Sequence, residues 1–571
     1  MMNNILKSMK IPQQWKEGSL KRLYKGKGTK GKCSNERGIT LASNVGKLFE
    51  RLINNRMVPN TQMTDAQAGG TKGRATVDHI LILKELVHIT KTKKQQLILT
   101  YMDVTKAYDK AWLDAIMYVL FKRGITSKIV KELNSNLLTT IQTKHGPTRK
   151  IKITDSIRQG GVLSVTMYAL MMDETNKALL ETDLGIKIPS SESKIPCLLW
   201  MDDVVLAETK EDLAQKQLDI TQHVSQKYHV EYGMAKTKYL RIGKSKKPIK
   251  LTLGNQELEE TAKYTYLGEV NNQKMNMTEQ ISNIEGKVEA AYQTLIAVAE
   301  DREFRGIKMQ AIWTLIQTCI TPLITYASET WHLSKQECKK LNQILDKIIR
   351  RVLMTPDATP REAIYIETGL LDVGTISDSK RLNMKARLNR EKSELMAIVL
   401  NNPQCMWERD TKTKMERNNI ENEDLIGSKY QTKANIKRAT VKTFKQTIEK
   451  SAQGKSKMDY FLELKEDWMP GKRANYMNEL TRKQTSLIFK ARSRMLQIKG
   501  NYKNGYTDLK CRKCKIEVET QQHIMGELPE IHSDEAIKVP KQQIFTEDTG
   551  TLKQTAEKIN KIMDKLSEVV C

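Results

Sequence analysis

Three aspartates lie where the chain can bring them to the ends of strands. Asp103 follows the apolar run 97–102, Leu-Ile-Leu-Thr-Tyr-Met, which is typical of a buried strand. Asp202 and Asp203 separate two further short apolar runs, and their side chains favour a tight turn, so this stretch predicts a β-hairpin. If the strands are neighbours, Asp103 and Asp202 converge on one point.

Carboxylates that converge in this way need a cation between them. Two carboxylates ~4 Å apart repel by about 4 kcal/mol at an effective dielectric constant of 20. Hard oxygen ligands that leave room for water and phosphate oxygens suit Mg²⁺. Paired metal ions can activate an attacking hydroxyl and stabilise the leaving oxygen of an in-line phosphoryl displacement. Taken singly, each aspartate has a simpler alternative as an ordinary turn or strand-end residue.

A glycine-rich segment lies between the two acidic sites. It runs Arg158-Gln159-Gly160-Gly161-Val162-Leu163-Ser164 and precedes a predicted helical stretch over Met167–Ala178. Glycine lets the backbone approach a ligand closely, and a helix N-terminus favours a nearby phosphate group. The segment therefore predicts a phosphate-binding loop, with an ordinary loop that enters a helix as the alternative.

The hydrophobic periodicity divides the chain. Residues 96–270 alternate short apolar runs with amphipathic segments, as a mixed α/β unit does. From about residue 277 the period becomes helical, with one apolar stripe interrupted by Pro322 and a second beyond it. The stripes are Ile312, Leu315, Ile316, Cys319 and Ile320, and Leu341, Ile344, Leu345, Ile348 and Val352. Beyond about residue 375 the chain is Lys-rich and mostly helical in propensity, with a polar helix near its end.

The composition limits the class of protein. The 571 residues include 95 Lys and Arg against 67 Asp and Glu, a formal net charge of +28. This excess favours a polyanionic partner, with nucleic acid ahead of an anionic membrane. No run of 18 apolar residues occurs, so we expect no membrane span, and we see no secretory signal. The eight scattered cysteines favour a reducing, intracellular compartment over a disulfide framework.

The order of these motifs resembles the reverse transcriptases of non-LTR (LINE-type) retrotransposons. Residues 101–109, Tyr-Met-Asp-Val-Thr-Lys-Ala-Tyr-Asp, are similar to polymerase motif A, residues 158–164 to motif B and residues 201–203 to motif C. The further matches are Leu23–Gly28, Asn35–Ile39, Gln67–Gly70 and Arg74–Asp78 with the finger motifs, Lys236-Thr237 with motif D, Tyr266-Leu267-Gly268 with motif E, and Tyr326–Trp331 with the thumb signature. So many motifs in one order make the resemblance specific.

The resemblance implies a role for each matched residue. Asp103, Asp202 and Asp203 would bind two Mg²⁺ ions, which Mn²⁺ could replace, with the Val104 carbonyl as a further ligand. Lys236 would neutralise or protonate the pyrophosphate leaving group. The nucleotide site would comprise Lys25, Arg37, Tyr108, Gln159 and Gly160, and the primer grip Tyr266, Leu267 and Gly268. Among these, Tyr108 would be the steric gate whose ring collides with a ribose 2′-hydroxyl.

The resemblance also implies an α+β fold with the right-hand polymerase architecture. We expect fingers at residues 1–95, a mixed α/β palm with an antiparallel catalytic hairpin at 96–275, and a helical thumb at 276–375. A basic helical region at 376–505 and a degenerate Cys/His knuckle with a polar tail at 506–571 would follow. No segment resembles the endonuclease that accompanies these polymerases.

The C-terminal knuckle departs from the family pattern. Cys511-x-x-Cys514-x8-His523 resembles its first three ligands, but Leu528 stands where the family has the final Cys. A structural zinc site needs four donors, and Glu527 or His532 would have to supply the fourth without the usual spacing. Zinc binding and a pair of free thiols both remain open.

Three smaller departures lie near the predicted catalytic residues. Met201 replaces the Ala that usually precedes the Asp pair, Val165 replaces a common Pro, and Gly233 replaces a frequent Asn. None of them removes a carboxylate.

The implied partners are an RNA template, a DNA primer and deoxynucleoside triphosphates, with the nucleus as the site of action and no membrane. The main alternative is a weak or inactive nucleic-acid-binding remnant of such an element. A group II intron maturase is disfavoured by the Tyr326–Trp331 signature. An RNA-dependent RNA polymerase is disfavoured by Tyr108.

Overall fold

A computed structural model of the chain describes residues 1–26, 28–125, 128–153, 157–189, 191–243, 247–300, 308–391, 393–455, 457–458, 461, 468–502, 507–527 and 538–568, with all side chains except those of residues 34, 299, 300 and 527. Lys27 of the motif Leu23–Gly28 lies outside these residues, as do Leu528, His532 and the side chain of Glu527.

The secondary structure begins and ends as follows. The strands are β1 Glu17–Tyr24, β2 Glu36–Ala42, β3 Leu97–Asp103, β4 Leu137–Thr143, β5 Gly146–Pro147, β6 Ile151–Ile153, β7 Ile186–Lys187, β8 Lys194–Ile195, β9 Cys197–Trp200, β10 Asp203–Glu208, β11 Lys238–Ile242, β12 Thr252–Leu253, β13 Gln256–Glu257, β14 Glu259–Glu260, β15 Lys263–Tyr266 and β16 Glu269–Asn272. The helices are α1 Met2–Ser8, α2 Gln13–Lys16, α3 Asn44–Met57, α4 Thr76–Thr92, α5 Leu113–Lys122, α6 Lys128–Asn134, α7 Val162–Leu180, α8 Glu211–Lys227, α9 Thr278–Glu300, α10 Met309–Leu315, α11 Thr321–Ile324, α12 Lys335–Val352, α13 Arg361–Thr368, α14 Val373–Arg390, α15 Glu394–Leu400, α16 Met406–Arg417, α17 Lys429–Ala452, α18 Tyr476–Glu479, α19 Arg482–Arg492, α20 Lys541–Phe545 and α21 Thr549–Ser567. Across the described ranges, no helix combines the length and apolar character needed to cross a bilayer.

The chain divides into two compact units. The first unit comprises Met1–Asn276 and Glu391–Glu408, and the second comprises Met277–Arg390 and Arg409–Cys571. All strands named above lie in the first unit, whereas the second is helical. The division into five functional segments stays a prediction.

The first unit is built around a five-stranded sheet in the order β14-β11-β3-β10-β9. β3 lies at its centre, antiparallel to β11 and to β10, and β9 and β10 form a hairpin. Residues Leu97–Met102 are all buried. Because both faces of this central strand are covered, its sequence is a continuous apolar run without alternation. The predicted strand and the predicted hairpin are confirmed, but the turn lies one residue earlier than predicted, because Asp203 pairs with Trp200 and belongs to β10.

Each face of the sheet packs against different elements. One face joins helices α5, α7 and α8 in a core that includes Ile98, Met102, Leu199, Val204, Leu206, Ile116, Leu120, Met167, Met171 and Leu218. On the other face, Tyr101 stacks on Tyr264 with ring centroids 4.2 Å apart and packs on Tyr266 at 5.7 Å. Burial on both faces specifies the register, since a slip by one residue would exchange the faces of every side chain.

A second sheet in the first unit has the order β2-β1-β4-β5, with β6 also paired to β4. β1 is antiparallel to β2 and parallel to β4. This sheet carries Arg37, which lies opposite Leu23 in the β1–β2 ladder.

Residues 391–408 return to the first unit, where two acidic side chains hold them. Asp65 accepts a hydrogen bond from the backbone N–H of Leu395 near the start of α15 (3.0 Å). Glu85, which is buried, accepts from the first two N–H groups of α16 (3.1 and 2.9 Å). These carboxylates satisfy N–H groups that a helix start leaves without an intrahelical partner.

The helical stripe predicted for α12 is confirmed. Leu341, Ile344, Leu345, Ile348 and Val352 are all buried in the core of the second unit. The helix begins with a capping box, in which Glu337 N–H donates to Ser334 Oγ (3.2 Å) and Ser334 N–H donates to Glu337 Oε2 (2.9 Å). The predicted helical character beyond residue 375 is also confirmed, by α14 to α21.

The earlier stripe is partly wrong. Ile312, Ile316 and Ile320 are buried, but Leu315 and Cys319 are exposed. A π-helical turn over Ile316–Ile320 connects α10 to α11, and its wider spacing turns every fourth residue inward. Pro322 does not end the helical path, because it stands in the first turn of α11, directly after the π-helical turn, where proline is tolerated.

We expect Glu367→Gln to destabilise the second unit strongly. Arg492 donates to both carboxylate oxygens of Glu367 (2.9 and 3.1 Å), and both side chains are 0% exposed. The substitution would remove the buried counter-ion of Arg492 and leave only the half-exposed Glu547 at 3.9 Å, which costs about 3–5 kcal/mol in the free energy of unfolding. Urea unfolding of the full chain measures this loss.

The matched control is Glu289→Gln, which breaks a partly exposed pair with Arg351 (2.7 Å). This change should cost about 1 kcal/mol or less, because exposed ion pairs contribute little. Equal losses for the two substitutions would contradict the prediction.

Candidate active site

The antiparallel pairing of β3 with β10 places Asp103 directly opposite Asp203. Residues opposite each other in such a pair project from the same face of the sheet, with Cβ atoms about 4.5–5.5 Å apart. Across the hairpin, Asp203 pairs with Trp200, so Met201 and Asp202 form a two-residue turn at the same end of the sheet. The structure therefore brings the three aspartates together at one end of β3 and β10.

Lys236 lies against these carboxylates. Its Nζ is 2.9 and 3.1 Å from the two carboxylate oxygens of Asp103. A tight turn holds it there: Gly233 N–H donates to the Asp103 carbonyl (2.7 Å), and the N–H groups of Lys236 and Thr237 both donate to the Gly233 carbonyl (3.0 Å each). Because the Lys236 side chain is 70% exposed, its ammonium can exchange Asp103 for another anion.

The surroundings of Asp202 and Asp203 disfavour the ionised forms of their carboxyl groups. Burial raises the pKa of Asp202 and the neighbouring Asp103 carboxylate adds to the rise, whereas Arg37 and Lys236 offset part of it. Burial raises the pKa of Asp203 to about 6, with the charges of Asp202 and Asp103 as further causes. Ionised carboxylates in this position are stabilised by a nearby cation. Three hard oxygen donors of this kind fit Mg²⁺ or Mn²⁺.

Val104 is buried beside the aspartates and forms a single antiparallel bridge with Tyr232. The flanking hydrogen bonds of this bridge involve the Asp103 carbonyl and the Thr105 N–H, so the Val104 carbonyl takes no part in them.

Tyr108 presents a fixed aromatic ring near Asp202. The ring stacks on Tyr168 with centroids 5.1 Å apart and planes inclined by 21°. Burial, with the Asp202 charge as a second cause, raises the pKa of Tyr108 to about 12, so the phenol stays neutral. The Tyr108 carbonyl accepts a hydrogen bond from Ile157 N–H (3.3 Å), which ties this residue to the glycine-rich segment.

The glycine-rich segment packs against β2. Gln159 accepts a hydrogen bond at its carbonyl from Thr40 N–H (2.9 Å). Gly160 has a φ of +119°, and a Cβ there would lie 2.7 Å from the Thr40 carbonyl oxygen. Both the backbone conformation and the close approach therefore require glycine at this position.

An unpredicted ion pair fixes the other end of this segment. Arg158 and Glu50 are both buried and form a 2.9 Å pair, and Arg158 also donates to the Trp15 carbonyl (3.0 Å). The second oxygen of Glu50 accepts from Val162 N–H, the first of α7 (2.6 Å). The start of α7 thus already has an anionic partner, and the predicted phosphate contact at this helix N-terminus is wrong for that N–H group.

The two predicted triphosphate ligands are placed differently. Arg37 is exposed on β2 and close enough to Asp202 to lower its pKa. Lys25 is exposed in the loop after β1, where its N–H donates to the Asn35 carbonyl (2.9 Å). The charge of Arg37 is therefore felt directly by one of the three carboxylates.

The predicted primer-grip residues are split between the surface and the core. Tyr266 is buried, and its hydroxyl lies 3.4 Å from His79 Nδ1, so its ring is a core residue. Leu267 and Gly268 form the turn between β15 and β16, with φ values of +47° and +85°. Tyr264 also lies in the field of the aspartates: burial, with the charges of Asp103 and Asp203 as further causes, raises its pKa to about 12. Strand alternation, which puts residues 264 and 266 on one face, was the signal for Tyr264.

The knuckle residues come together in the second unit. The ligand atoms of Cys511, Cys514 and His523 all lie within 4.8 Å of one another. Cys514 Sγ is 3.4 Å from His523 Nε2, and a Glu517 carboxylate oxygen is 3.1 Å from His523 Nδ1. A carboxylate on the second ring nitrogen is typical of histidines that bind metals. Within the part of the chain that the structure describes, no fourth Cys, His, Asp or Glu joins this cluster.

The chain is similar to known proteins over much of its length. Residues 25–270 match the family described as reverse transcriptase (RNA-dependent DNA polymerase). The retrovirus-related Pol polyprotein of the type-1 retrotransposable element R2 from Popillia japonica is 24% identical over 384 residues, 64% of this chain and 52% of that protein. The RNA-directed DNA polymerase of the mobile element jockey from Drosophila melanogaster is 22% identical over 373 residues, 62% of this chain and 39% of that protein. The chain thus spans about half or less of the length of these relatives.

Among solved structures, telomerase from Candida tropicalis in complex with a TWJ fragment of telomeric RNA covers 76% of this chain, and the match covers 66% of that chain. The two are 12% identical and superpose with a TM-score of 0.36, too low to establish a shared fold. The assignment therefore depends on the sequence matches. The chain contains a reverse transcriptase domain, residues 25–270, whose relatives are the polymerases of non-LTR retrotransposons.

Proposed function

We propose that the chain is an RNA-directed DNA polymerase that extends a DNA primer on an RNA template. The observation that carries the proposal is the pairing of Asp103 with Asp203, with Asp202 in the adjoining turn, inside a reverse transcriptase domain. The right-hand division into fingers (1–95), palm (96–275) and thumb (276–375), followed by a basic helical region, is part of this proposal.

In the proposed reaction, Asp103, Asp202 and Asp203 hold two Mg²⁺ ions, with the Val104 carbonyl as a further ligand and Mn²⁺ as a possible substitute. When bound, such ions stabilise the attacking and leaving oxygens of an in-line phosphoryl transfer. The protein's own contribution is the β3–β10 register, which fixes where the carboxylates stand before any substrate arrives.

The remaining residues act on the nucleotide. Arg37 and Lys25 bind the triphosphate, where an Arg fork suits phosphate oxygens. The primer 3′-hydroxyl attacks the α-phosphorus of the nucleotide, the bond to the pyrophosphate oxygen breaks, and Lys236 moves from Asp103 to the departing pyrophosphate. Gln159 and Gly160 line the nucleotide on the side of the glycine-rich segment.

Tyr108 selects deoxynucleotides in this proposal. Its ring is held by the stack on Tyr168 and cannot swing aside easily, so a ribose 2′-hydroxyl would collide with it. The neutral phenol adds no charge beside the triphosphate.

The proposed partners are an RNA template, a DNA primer and deoxynucleoside triphosphates, and the proposed site of action is the nucleus. The net charge of +28 supports binding to nucleic acid that weakens steeply with salt. In the primer grip, Leu267, Gly268 and Tyr264 contact the primer, while Tyr266 supports them from the core. An inactive nucleic-acid-binding remnant is not favoured, because every predicted metal-binding carboxylate is present.

We expect wild-type protein to extend a primed RNA template with deoxynucleotides and Mg²⁺, and Asp202→Asn to lower the rate at least about 100-fold. A loss of this size corresponds to roughly 3 kcal/mol of transition-state stabilisation, which is what a metal ligand supplies. Gel analysis of labelled primers measures the rate.

The control for this experiment is Asp183→Asn, whose side chain is 95% exposed and paired with Lys194. It should extend primers like wild type. A folded wild-type protein that binds the template–primer without extending it would establish the inactive remnant instead.

We expect Mg²⁺ to raise the melting temperature more at pH 7.5 than at pH 5. The pKa of Asp203 is about 6 in the folded chain, above the 3.8 of an unperturbed aspartate. The folded state therefore keeps this proton longer than the unfolded state, and it loses stability as the pH rises from about 4 to about 6. A bound divalent cation offsets that loss above pH 6, whereas protons compete with it below.

Thermal unfolding with and without Mg²⁺ at both pH values checks this prediction. Asp203→Asn should remove most of the pH dependence of the Mg²⁺ effect, and the exposed-residue variant Asp183→Asn should keep it. An equal rise in melting temperature with Mg²⁺ at both pH values would contradict the assignment of Asp203 as a metal ligand.

We further propose that Cys511, Cys514 and His523 bind zinc. Their ligand atoms form one compact group, and the Glu517 carboxylate lies beside the imidazole. When bound, zinc would link the turn that carries the two cysteines to the helical turn of His523, so its contribution would be structural.

We expect purified protein to contain about one zinc ion per chain, and Cys514→Ser to lose it together with thermal stability, because only Cys511 and His523 would remain as donors. Elemental analysis measures the content. Cys319→Ser, which changes an exposed cysteine of the same unit, is the control and should keep the metal. Equal zinc content in the two variants would rule the site out.

A further inference from the structure

The turn that carries Asp202 is conformationally demanding. Met201 has a φ of +60°, and among the two turn residues it alone is in the left-handed region. A positive φ at the first position only is the sign pattern of a type II′ hairpin turn, which usually has glycine there. A side chain at this position costs free energy because its Cβ crowds the following carbonyl. Something outside the hairpin must favour this conformation.

Gln67 makes the contact that favours it. Its side-chain oxygen accepts a hydrogen bond from Met201 N–H (3.2 Å), a loop donor that the β9–β10 ladder does not use. The same oxygen accepts from Gly69 N–H (3.1 Å), which fixes the orientation of the amide. Gln67 is only 1% exposed, so water does not compete for these bonds.

The segment around Gln67 is held firmly against the hairpin. Leu199 of β9 donates to the Ala66 carbonyl (2.8 Å) and accepts at its own carbonyl from Ala68 N–H (3.1 Å). A Cβ on Gly69 would lie 2.5 Å from the Met201 nitrogen, so the backbone of this segment directly contacts the turn. The oxygen of Gln67 is therefore presented by a rigid support.

The choice of an amide at this buried position needs an explanation. The Nε2 of Gln67 is buried and has no hydrogen-bond partner among the described residues. An unsatisfied buried donor costs free energy, so an apolar side chain of similar size would pack here at lower cost. What an apolar side chain lacks is the oxygen that binds Met201. A carboxylate would supply an oxygen but would add a negative charge beside three aspartates.

We infer that Gln67 is a positioning residue that holds the Met201–Asp202 turn in the conformation that presents the Asp202 carboxylate. This inference rests on the proposed polymerase function for its catalytic meaning. Gln67 need not touch a substrate or a metal ion; it acts through Met201 alone. Loss of its oxygen should let the turn relax and displace Asp202.

The test compares Gln67→Met with Gln217→Met. Gln217 is an equally buried glutamine (1% exposed) that donates to the carbonyls of Pro196 and Ala207 (3.2 Å each) at the opposite end of the same hairpin. Both variants lose one buried amide of the β9–β10 region, but only one of them loses the contact with the turn. Gln67→Asn, which keeps the amide and withdraws its oxygen by one methylene, is the second variant if Gln67→Met folds poorly.

We expect Gln67→Met to lower kcat for primer extension at least about tenfold at saturating substrates, since small misplacements of catalytic groups have effects of this size or larger. The KM for template–primer should stay within about twofold, because no contact with nucleic acid is removed. Gln217→Met should keep kcat within about twofold of wild type. A kcat loss in Gln67→Met no larger than in Gln217→Met would overturn the inference.

A second readout separates this inference from the proposed function. The Mg²⁺-dependent rise in melting temperature, measured without substrate, should be smaller in Gln67→Met than in Gln217→Met. If wild type fails to extend primers, the polymerase proposal fails. The Mg²⁺-dependent rise in melting temperature then tests by itself whether Gln67 positions Asp202. Equal Mg²⁺ shifts in the two variants, or no shift in wild type, would then overturn the positioning role.

Discussion

Repulsion among the carboxylates of Asp103, Asp202 and Asp203 is the constraint around which the first unit is organised. Nothing in the local sequence draws these side chains together, and burial makes their ionised forms less stable still. They are held by the β3–β10 ladder, whose strands are buried on both faces. The stability of that apolar sheet outweighs the electrostatic cost at the end of β3 and β10, and the divalent cations proposed above would reduce that cost.

The side chains around the aspartates are held in fixed positions and add little charge to the site. Tyr108 and Tyr264 are each stacked on another tyrosine, and both stay neutral because their pKa values are raised to about 12. The buried acid Glu50 is paired with Arg158 and two backbone N–H groups of α7, so it contributes little net field. Lys236 differs from them, since it is a long, exposed and charged side chain on a fixed turn. Rigid neutral rings and an exposed cation suit the proposed reaction, in which charge shifts from a nucleotide to pyrophosphate.

Much of this arrangement could be predicted from the sequence, because the hydrophobic patterns there match the periods of regular strands and helices. The apolar run before Asp103 and the turn residues between two short runs identified the strand and the hairpin. The stripe of α12 identified a core helix, because its i, i+3, i+4 spacing matches an uninterrupted α-helix. Hydrophobic periodicity cannot show which elements lie close together. The order of the polymerase-like motifs indicated this.

The failures have physical causes as well. Leu315 and Cys319 were assigned to the core because an α-helical period was assumed across a π-helical turn. The Glu50–Arg158 pair joins residues 108 positions apart, and no local pattern links them. The same pair explains why the predicted phosphate contact is wrong. The first N–H groups of α7 already donate to the Glu50 carboxylate. Tyr264 was overlooked beside Tyr266, although both lie on one face of β15.

The discontinuity of the first unit has a consequence for how the protein is made. On a ribosome, residues 1–276 emerge well before residues 391–408, and the whole of 277–390 must be synthesised in between. Until then the buried Glu85 has no helix start to bind, and Asp65 lacks its N–H partner at Leu395. The reverse transcriptase domain therefore reaches its final packing only after much of the second unit has left the exit tunnel. A chain cut at the apparent end of the domain, near residue 276, would expose both acids and the apolar surface that α15 covers.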